Sequence, residues 1–447
     1  MLFKIAFRNI LRNGRRSLMT ASAIAVGAMA LLLFGEYMEF IVRGVETSTV
    51  ARSGHLAVFQ KGYSDFGAGN PASYSISGYR DVIRLIENDP VLKPLVRVVT
   101  PTVSMYGIAG NSAVDASKTF YGVGVVPSDR ERMMQWDDYS VYKSSPAIAC
   151  GFHYGLKNGD MTHSIVGVGV ARMLSLDVPT IVAGCPTAKE AAALARTGRK
   201  MPRINLLAGT TEGAPNIVSL LVREARTQGF KELDDMYVGM NIGVAQQLLY
   251  GGGEHKAVSI VVQLQHTADL AKARARLEEL FVRNRLDLEL RDFTQIEPRY
   301  NQIVGLFEAI FAFIAVIMVV IVLFTVVNTM SMSVMERINE IGTARAIGVR
   351  RRTIRRQFVL EGCLLGLIGA TAGFVLGAAV AWWFNRAGFR WQPPGAATSV
   401  PLLLLTVGVW RLRLAIWLGL VVTPMFAALV PANRAARMKV VDALRHV

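Results

Sequence analysis

The sequence predicts an α-helical membrane protein with four transmembrane helices plus a large α+β extracytoplasmic domain. Three observations point there. The 447 residues are 52% hydrophobic with a mean hydropathy of +0.35, too apolar for one ordinary water-soluble domain. Four apolar runs, over residues 18–40, 303–330, 358–384 and 414–432, approach or exceed the ~20 residues that cross a bilayer. Between the first two runs lies a long stretch, 45–300, with mixed strand and helix periodicities.

Charge sets the orientation. The net charge is +16, but residues 45–300 hold 28 Lys/Arg against 26 Asp/Glu, so the excess flanks the apolar runs. A nucleic-acid binder would carry it as a stripe on the soluble domain, so no nucleic-acid partner is expected. Lys4, Arg8, Arg12, Arg15 and Arg16 precede the first run with no acid among them. Arg337, Arg345, Arg350, Arg351, Arg352, Arg355 and Arg356 lie between the second and third, and Arg434, Arg437, Lys439 and Arg445 follow the fourth. The loop 385–413 holds only Arg386, Arg390, Arg411 and Arg413. The positive-inside rule then puts both termini and 331–357 in the cytoplasm and 45–300 outside. Residues 1–17 are not a cleavable leader, because the chain runs on as a span without an A-x-A-like site.

The elements follow in order. Residues 1–17 read as an amphipathic helix in the membrane surface. Phe3, Phe7, Ile10 and Leu11 share one face, and the five basic residues cover another. Residues 18–44 form the first span and a stalk, with Glu36 and Glu39 near its far end. In the outer domain, strands are expected at 55–60, 95–106, 119–126, 204–208, 217–223 and 235–240. Helices are expected at 78–88 and 242–250, and a β-α-β unit at 257–265, 268–283 and 286–290. The Ala- and Lys/Arg-rich stretch 179–203 reads as a surface excursion. Cys150 and Cys185 fall in this domain, as a disulfide or as two buried thiols. Cys363 falls in the third span. His153 and His163 read as satisfied histidines rather than ligands.

The second span is 301–330, a cytoplasmic segment follows at 331–357, and the third span is 358–384. Gly362, Gly366, Gly369, Gly373 and Gly377 keep one helical face of the third span free of side chains, which lets another helix approach closely. Trp382, Trp383 and Trp391 suit an interfacial aromatic belt. Residues 385–413 form an outer loop. Its run 400–410 is too short to cross and either extends the fourth helix or lies in the interface. The fourth span, 414–432, contains Pro424, which should kink or loosen it. Residues 433–447 form the tail.

The most informative string is Glu336-Arg337-x-x-Glu340-Ile341-Gly342-x-x-Arg345-Ala346-x-Gly348. It is too charged to face lipid. Glu336 and Glu340 lie one turn apart on one face, and Ile341, Ala344 and Ile347 offer a partly apolar one. Gly342 and Gly348 permit a close approach or a turn. Arg350, Arg351, Arg352, Arg355 and Arg356 are either topogenic or bind anionic groups. The string closely resembles the coupling helix of the MacB/LolCE/FtsX-like ABC transporter permeases, the type VII ABC transporter membrane subunits. Residues 3–30, Phe358 and Glu361 before the glycines, and Gly54-His55-Leu56 add to the likeness. So does the tail motif Pro431-Ala432-Asn433-Arg434-Ala435-Ala436-Arg437 with Ala443-Leu444-Arg445.

The resemblance implies a domain made of porter-like β-α-β pieces, 45–130 and 255–297, with a β-rich subdomain inserted at about 140–250. It implies that Glu336, Arg337, Glu340, Ile341, Gly342, Arg345, Ala346 and Gly348 dock on an ABC ATPase subunit. That subunit, not this chain, would bind ATP and Mg. It further implies a homodimer or a heterodimer with a paralogous permease in the bacterial inner membrane, touching lipid and a possible periplasmic adaptor or lipoprotein. The expected function is mechanotransmission that moves or releases a lipoprotein, lipid or hydrophobic small molecule. The alternative is an ATP-coupled signalling protein that activates a periplasmic hydrolase. No G-x-x-x-x-G-K-[ST] phosphate loop, H-E-x-x-H or G-x-S-x-G occurs in the sequence, so no enzymatic activity, cofactor or metal is expected in this chain.

Overall fold

The computed structural model describes residues 2–438 except 68, 70, 142–153, 182–191, 193–200, 212, 254 and 392–399. Cys150, Cys185, His153, most of the 179–203 stretch and the Ala443-Leu444-Arg445 motif therefore lie outside the described residues. The chain divides into two compact units. One comprises residues 1–42, 303–389 and 402–447; the other comprises 43–302 and 390–401.

The first unit is all helix. A short helix, Leu2–Arg12, is followed after a break at Asn13 by one 40-residue helix, Gly14–Ser53. Pro298–Glu336, Arg351–Ala387 and Trp410–Ala427 supply the other long apolar helices, and each candidate span is long and apolar enough to cross a membrane. The helices extend past the predicted limits because their charged ends remain helical. Thus 331–336 continues the second helix and 351–357 begins the third, leaving Ile338–Ala346 as a separate helix between them. Residues 402–409 form no helix, so the fourth helix is not extended outward. Pro424 sits inside that helix, which ends at Ala427, and Leu429–Arg437 carries the tail onward.

The glycines of the third helix face two neighbours in this chain. A Cβ at Gly362 would lie 2.7 Å from Ala428 Cβ and 2.8 Å from Pro424 O, on the fourth helix side. At Gly369 it would lie 2.7 Å from Ile24 Cβ and 2.8 Å from Ala21 O, on the first helix. Gly366 meets the fourth helix, and Gly373 and Gly377 meet the first. Near Gly366 stands the Leu420 carbonyl, whose usual i+4 donor is lost at Pro424. The second helix buries every fourth residue along its C-terminal half, Val322, Val326, Met330 and Val334, and Thr20 and Thr329 share a 2.8 Å hydroxyl hydrogen bond. Near its middle the first long helix buries Glu36 completely. Arg413 Nε donates to it at 2.9 Å.

The second unit is built on one ten-stranded sheet. Its strands are β1 (Leu56–Gln60), β2 (Val96–Asn111), β3 (Ala116–Val125), β4 (His163–Gly167) and β5 (Thr180–Ile181). The rest are β6 (Arg203–Gly209), β7 (Pro215–Arg226), β8 (Tyr237–Asn241), β9 (Ser259–Leu264) and β10 (Leu288–Asp292). The order β10-β1-β9-β2 is antiparallel, and helices Tyr79–Asn88 and Leu270–Arg283 bury Ile86, Leu277 and Leu280 with Val58 and Ile260 of its strands. The remaining pairings, β2-β3-β8-β4-β7-β6 and back to β2, close a ring. Val103, Met105 and Ala109 alternate along β2 and are buried in the second cluster with Phe120, Val222 and Leu248.

Two expectations change here. The inserted subdomain begins inside β2, near residue 103, rather than near 140, because one 16-residue strand serves both parts. The strands β4 and β5 were not anticipated, and His163 opens β4 beside Asp160 at 3.0 Å. The two-residue strands Arg390–Trp391 and Val400–Pro401 pair as a separate hairpin.

His55 secures the start of β1. Its Nδ1 accepts the Leu264 N–H at 3.0 Å, Nε2 lies 3.1 Å from the Thr267 hydroxyl, and the Trp136 ring packs edge-on at 5.0 Å. Burial pushes the imidazole down to about 3, which keeps the accepting nitrogen unprotonated. Gln263 adds side-chain bonds to the Val50 and Met133 carbonyls, fastening the last turns of the Gly14–Ser53 helix within this unit.

The glycine contacts give a direct test. Gly373→Ala places a methyl group against the Ala25 carbonyl, whereas Gly419→Ala meets nothing within 4 Å. Gly373→Ala should destabilise the detergent-purified protein by about 1–3 kcal/mol. In a thermal melt its midpoint should fall while that of Gly419→Ala stays unchanged.

Candidate functional site

The segment 336–349 is assembled by local rules. The second helix stops at Glu336, Arg337 adopts a non-helical conformation, and Ile338–Ala346 resumes as helix. The end is a tight turn. Gly348 takes a φ of +99°, which favours glycine, while the Ile347 and Val349 amides reach back to Thr343 and Ala344. Beyond it Arg350 starts the third helix in extended conformation.

The charges of the motif have partners inside the chain. Arg337 is 5% exposed and donates from Nη1 to Glu361 Oε1 at 3.1 Å, itself 3% exposed. Asn9 Nδ2 donates to the same oxygen at 2.6 Å, and Arg337 Nη2 reaches the Asn9 carbonyl at 3.3 Å. Arg12 Nη2 forks onto both oxygens of Glu340, at 3.0 and 3.1 Å. That hydrogen bond raises the Arg12 pKa above its usual value. Arg16 pairs with Glu336. Arg345 Nη1 donates to the Ala436 carbonyl at 3.1 Å, inside the tail motif.

This redistributes the residues expected to form a docking face. Arg337, Ile341 and Gly342 are buried, so they support the helix from beneath rather than present themselves to a partner. Glu336 and Glu340 are half-exposed but already engaged by Arg16 and Arg12. Ala346, Gly348 and above all Ile347, 80% exposed, form the outward end with Thr343 and Val349. Ile341 and Ile347 thus lie on opposite sides, not on one apolar face. Of the basic residues assigned to headgroups, Arg12 and Arg16 are paired, and Lys4, Arg8 and Arg15 are exposed. Phe3, Phe7 and Leu11 stand exposed at one-turn intervals beside them.

Sequence reasoning missed the internal partners. Arg12/Arg16 and Glu336/Glu340 share an i, i+4 spacing with opposite sign, which is a readable signal, but the 320-residue separation hides it. A small cavity of about 20 Å³ is lined by Asn9, Asn13, Ser17, Thr329, Ser333 and Glu361 together with Ile10, Met330 and Leu365, with room for about one water molecule and none for a cargo. Among the described residues no group of His, Cys, Asp and Glu could hold a metal.

Comparison with known proteins follows this geometry. Residues 312–440 match the FtsX-like permease C-terminal family. A macrolide export ATP-binding/permease protein, MacB, of Neisseria gonorrhoeae is 30% identical over 43% of this chain and 28% of its own length. An uncharacterized ABC transporter permease of Methanocaldococcus jannaschii is 27% identical over 33% of this chain and 37% of its own. The chain thus spans well under half of these relatives. The periplasmic region of MacB from Actinobacillus actinomycetemcomitans aligns over 55% of this chain and 92% of that one, at 12% identity and a TM-score of 0.29.

The buried and exposed pairs should behave differently. Glu361→Gln leaves the Arg337 cation buried and unpaired, which should cost about 3–5 kcal/mol. Arg12→Ala removes an exposed pair and should cost about 0–1 kcal/mol. Denaturant titration of the purified protein, followed by tryptophan fluorescence, measures both.

Proposed function

Because this chain belongs to the MacB/FtsX-like family of ABC permeases, we propose that it is the membrane subunit of an ATP-driven transporter worked by a separate ATP-hydrolysing subunit. In this reading the ATPase, holding ATP and Mg, meets the end of the 338–346 helix. Ile347 is the apolar anchor, and Arg350, Arg351 and Arg352 are its basic rim. The observation that carries the proposal is this exposed apolar turn within the family-matched segment. An apolar side chain held out at the end of a short charged helix is a suitable anchor for a partner to bury.

The cycle then follows from continuity. The Gly14–Ser53 and Pro298–Glu336 helices each have residues in both units, so a push on the 338–346 helix has a covalent, hydrogen-bonded route to the outer domain. The work would be mechanotransmission by a dimer of this chain, or of this chain with a paralogue. The cargo class is a lipoprotein, a lipid or a hydrophobic small molecule taken from the periplasm or the outer leaflet. Residues 45–300 would face the periplasm and both ends the cytoplasm, in accord with the placement of the arginines.

Two experiments test this. Ile347→Glu should weaken retention of the ATPase in mild-detergent co-purification by about 30-fold, the loss typical of a central anchor, with membrane insertion intact. Undiminished retention rejects the assigned contact. For orientation, Ser128→Cys and Thr343→Cys, in a background lacking Cys150, Cys185 and Cys363, are probed with a membrane-impermeant thiol reagent. Position 128 should label in intact spheroplasts and position 343 only after permeabilisation. The reverse pattern would put the docking turn outside, away from ATP.

A further inference from the structure

Two breaks in the helical chain, at Asn13 and at Arg337, line the same small cavity. On either side of them the ion pairs run in antiparallel register. Moving four residues from Arg12 to Arg16 on the N-terminal segment corresponds to moving four residues back from Glu340 to Glu336. One pair therefore bridges Leu2–Arg12 to the 338–346 helix, and the other bridges the start of the first long helix to the end of the second. Between them, Asn9 contacts both members of the buried Arg337–Glu361 pair, bringing in the third helix. Ala6 and Ile10 seat the same N-terminal helix in the core of the membrane unit.

We infer that the N-terminal helix is the positioning element of the 338–346 helix, setting its place and angle through this register of charges. The inference rests on the docking reading above for its purpose, but not for its structure. Exposed ion pairs are individually weak, so their use here is directional. A helix of nine residues between the break at Arg337 and the turn at 347–349 has little intrinsic stability, and the ion pairs on either side of the breaks at Asn13 and Arg337 hold it in this register. A slip of one turn in either direction would leave one arginine and one glutamate without a partner.

A charge swap read by hydrogen exchange tests this on the full chain in lipid nanodiscs. Arg12→Glu and Glu340→Arg should each speed amide exchange across 339–347 about two- to fivefold, the effect of losing one exposed pair. The double variant, with the charges exchanged, should return to the unaltered rate. Equal exchange in all four proteins, or a double variant as fast as either single one, overturns the inference. Glu361→Gln provides a second reading, since loosening the buried junction should speed the same amides more than either surface change. Co-purification with the ATPase runs alongside. Exchange that follows the swap, while even the unaltered chain retains no ATPase, upholds the positioning element and removes the docking reading. Loss of retention in Glu340→Arg that the double variant does not restore, with exchange unmoved, assigns Glu340 to the partner and overturns the inference.

Discussion

The membrane unit depends on the absence of side chains along one face of its third helix. Hydrocarbon provides no hydrophobic drive between helices, so contact must come from packing, and packing is closest where glycine exposes backbone. Gly369, Gly373 and Gly377 admit the first helix, while Gly362 and Gly366 admit the fourth. The third helix is therefore the hub. The backbone around Pro424 comes close to the third helix at Gly366, where a side chain would meet the Val421 and Leu420 carbonyls.

On this hub rest one buried ion pair, Arg337–Glu361, and one with a buried carboxylate, Glu36–Arg413. Glu361 belongs to the hub itself, four residues before Leu365 and next to Gly362, and it draws in Arg337 and Asn9. Glu36 and Arg413 join the first and fourth helices, which the glycines have already brought together. Neither pair is evidence of stability alone, since desolvating two ions offsets much of their attraction. Each places a carboxylate that would be costly to leave without its arginine. Consequently the motif residues that look most like docking groups are largely committed to the chain's own architecture, while the turn around Ile347 is left exposed.

The soluble unit obeys a different constraint. One strand, β2, pairs with β9 over its first half and with β3 over its second, so the β-α-β layer and the closed ring share a backbone. The ring leaves no free edge among its six strands, which protects the unit from edge-to-edge association. Gly107 fits this scheme, since a side chain there would strike the Leu207 carbonyl of β6.

The sequence by itself determined the four apolar helices, the β-α-β unit ending at β10, the glycine face and the motif between the second and third helices. All of these are local properties, readable from period, composition and spacing within a few turns. Tertiary structure alone decided which neighbour each glycine admits and that β2 belongs to two layers. It also decided that Arg12 and Arg16 meet Glu340 and Glu336 across more than three hundred residues, and that Gly342 and Ile341 point inward while Ile347 points out. A helix's period identifies its faces but not what lies opposite them. An arginine beside a membrane has the same sequence signature whether it meets a phosphate, a partner or its own chain's glutamate. Only the three-dimensional arrangement of the helices separates these cases, because ion-pair energies act over a few ångströms whatever the distance along the chain.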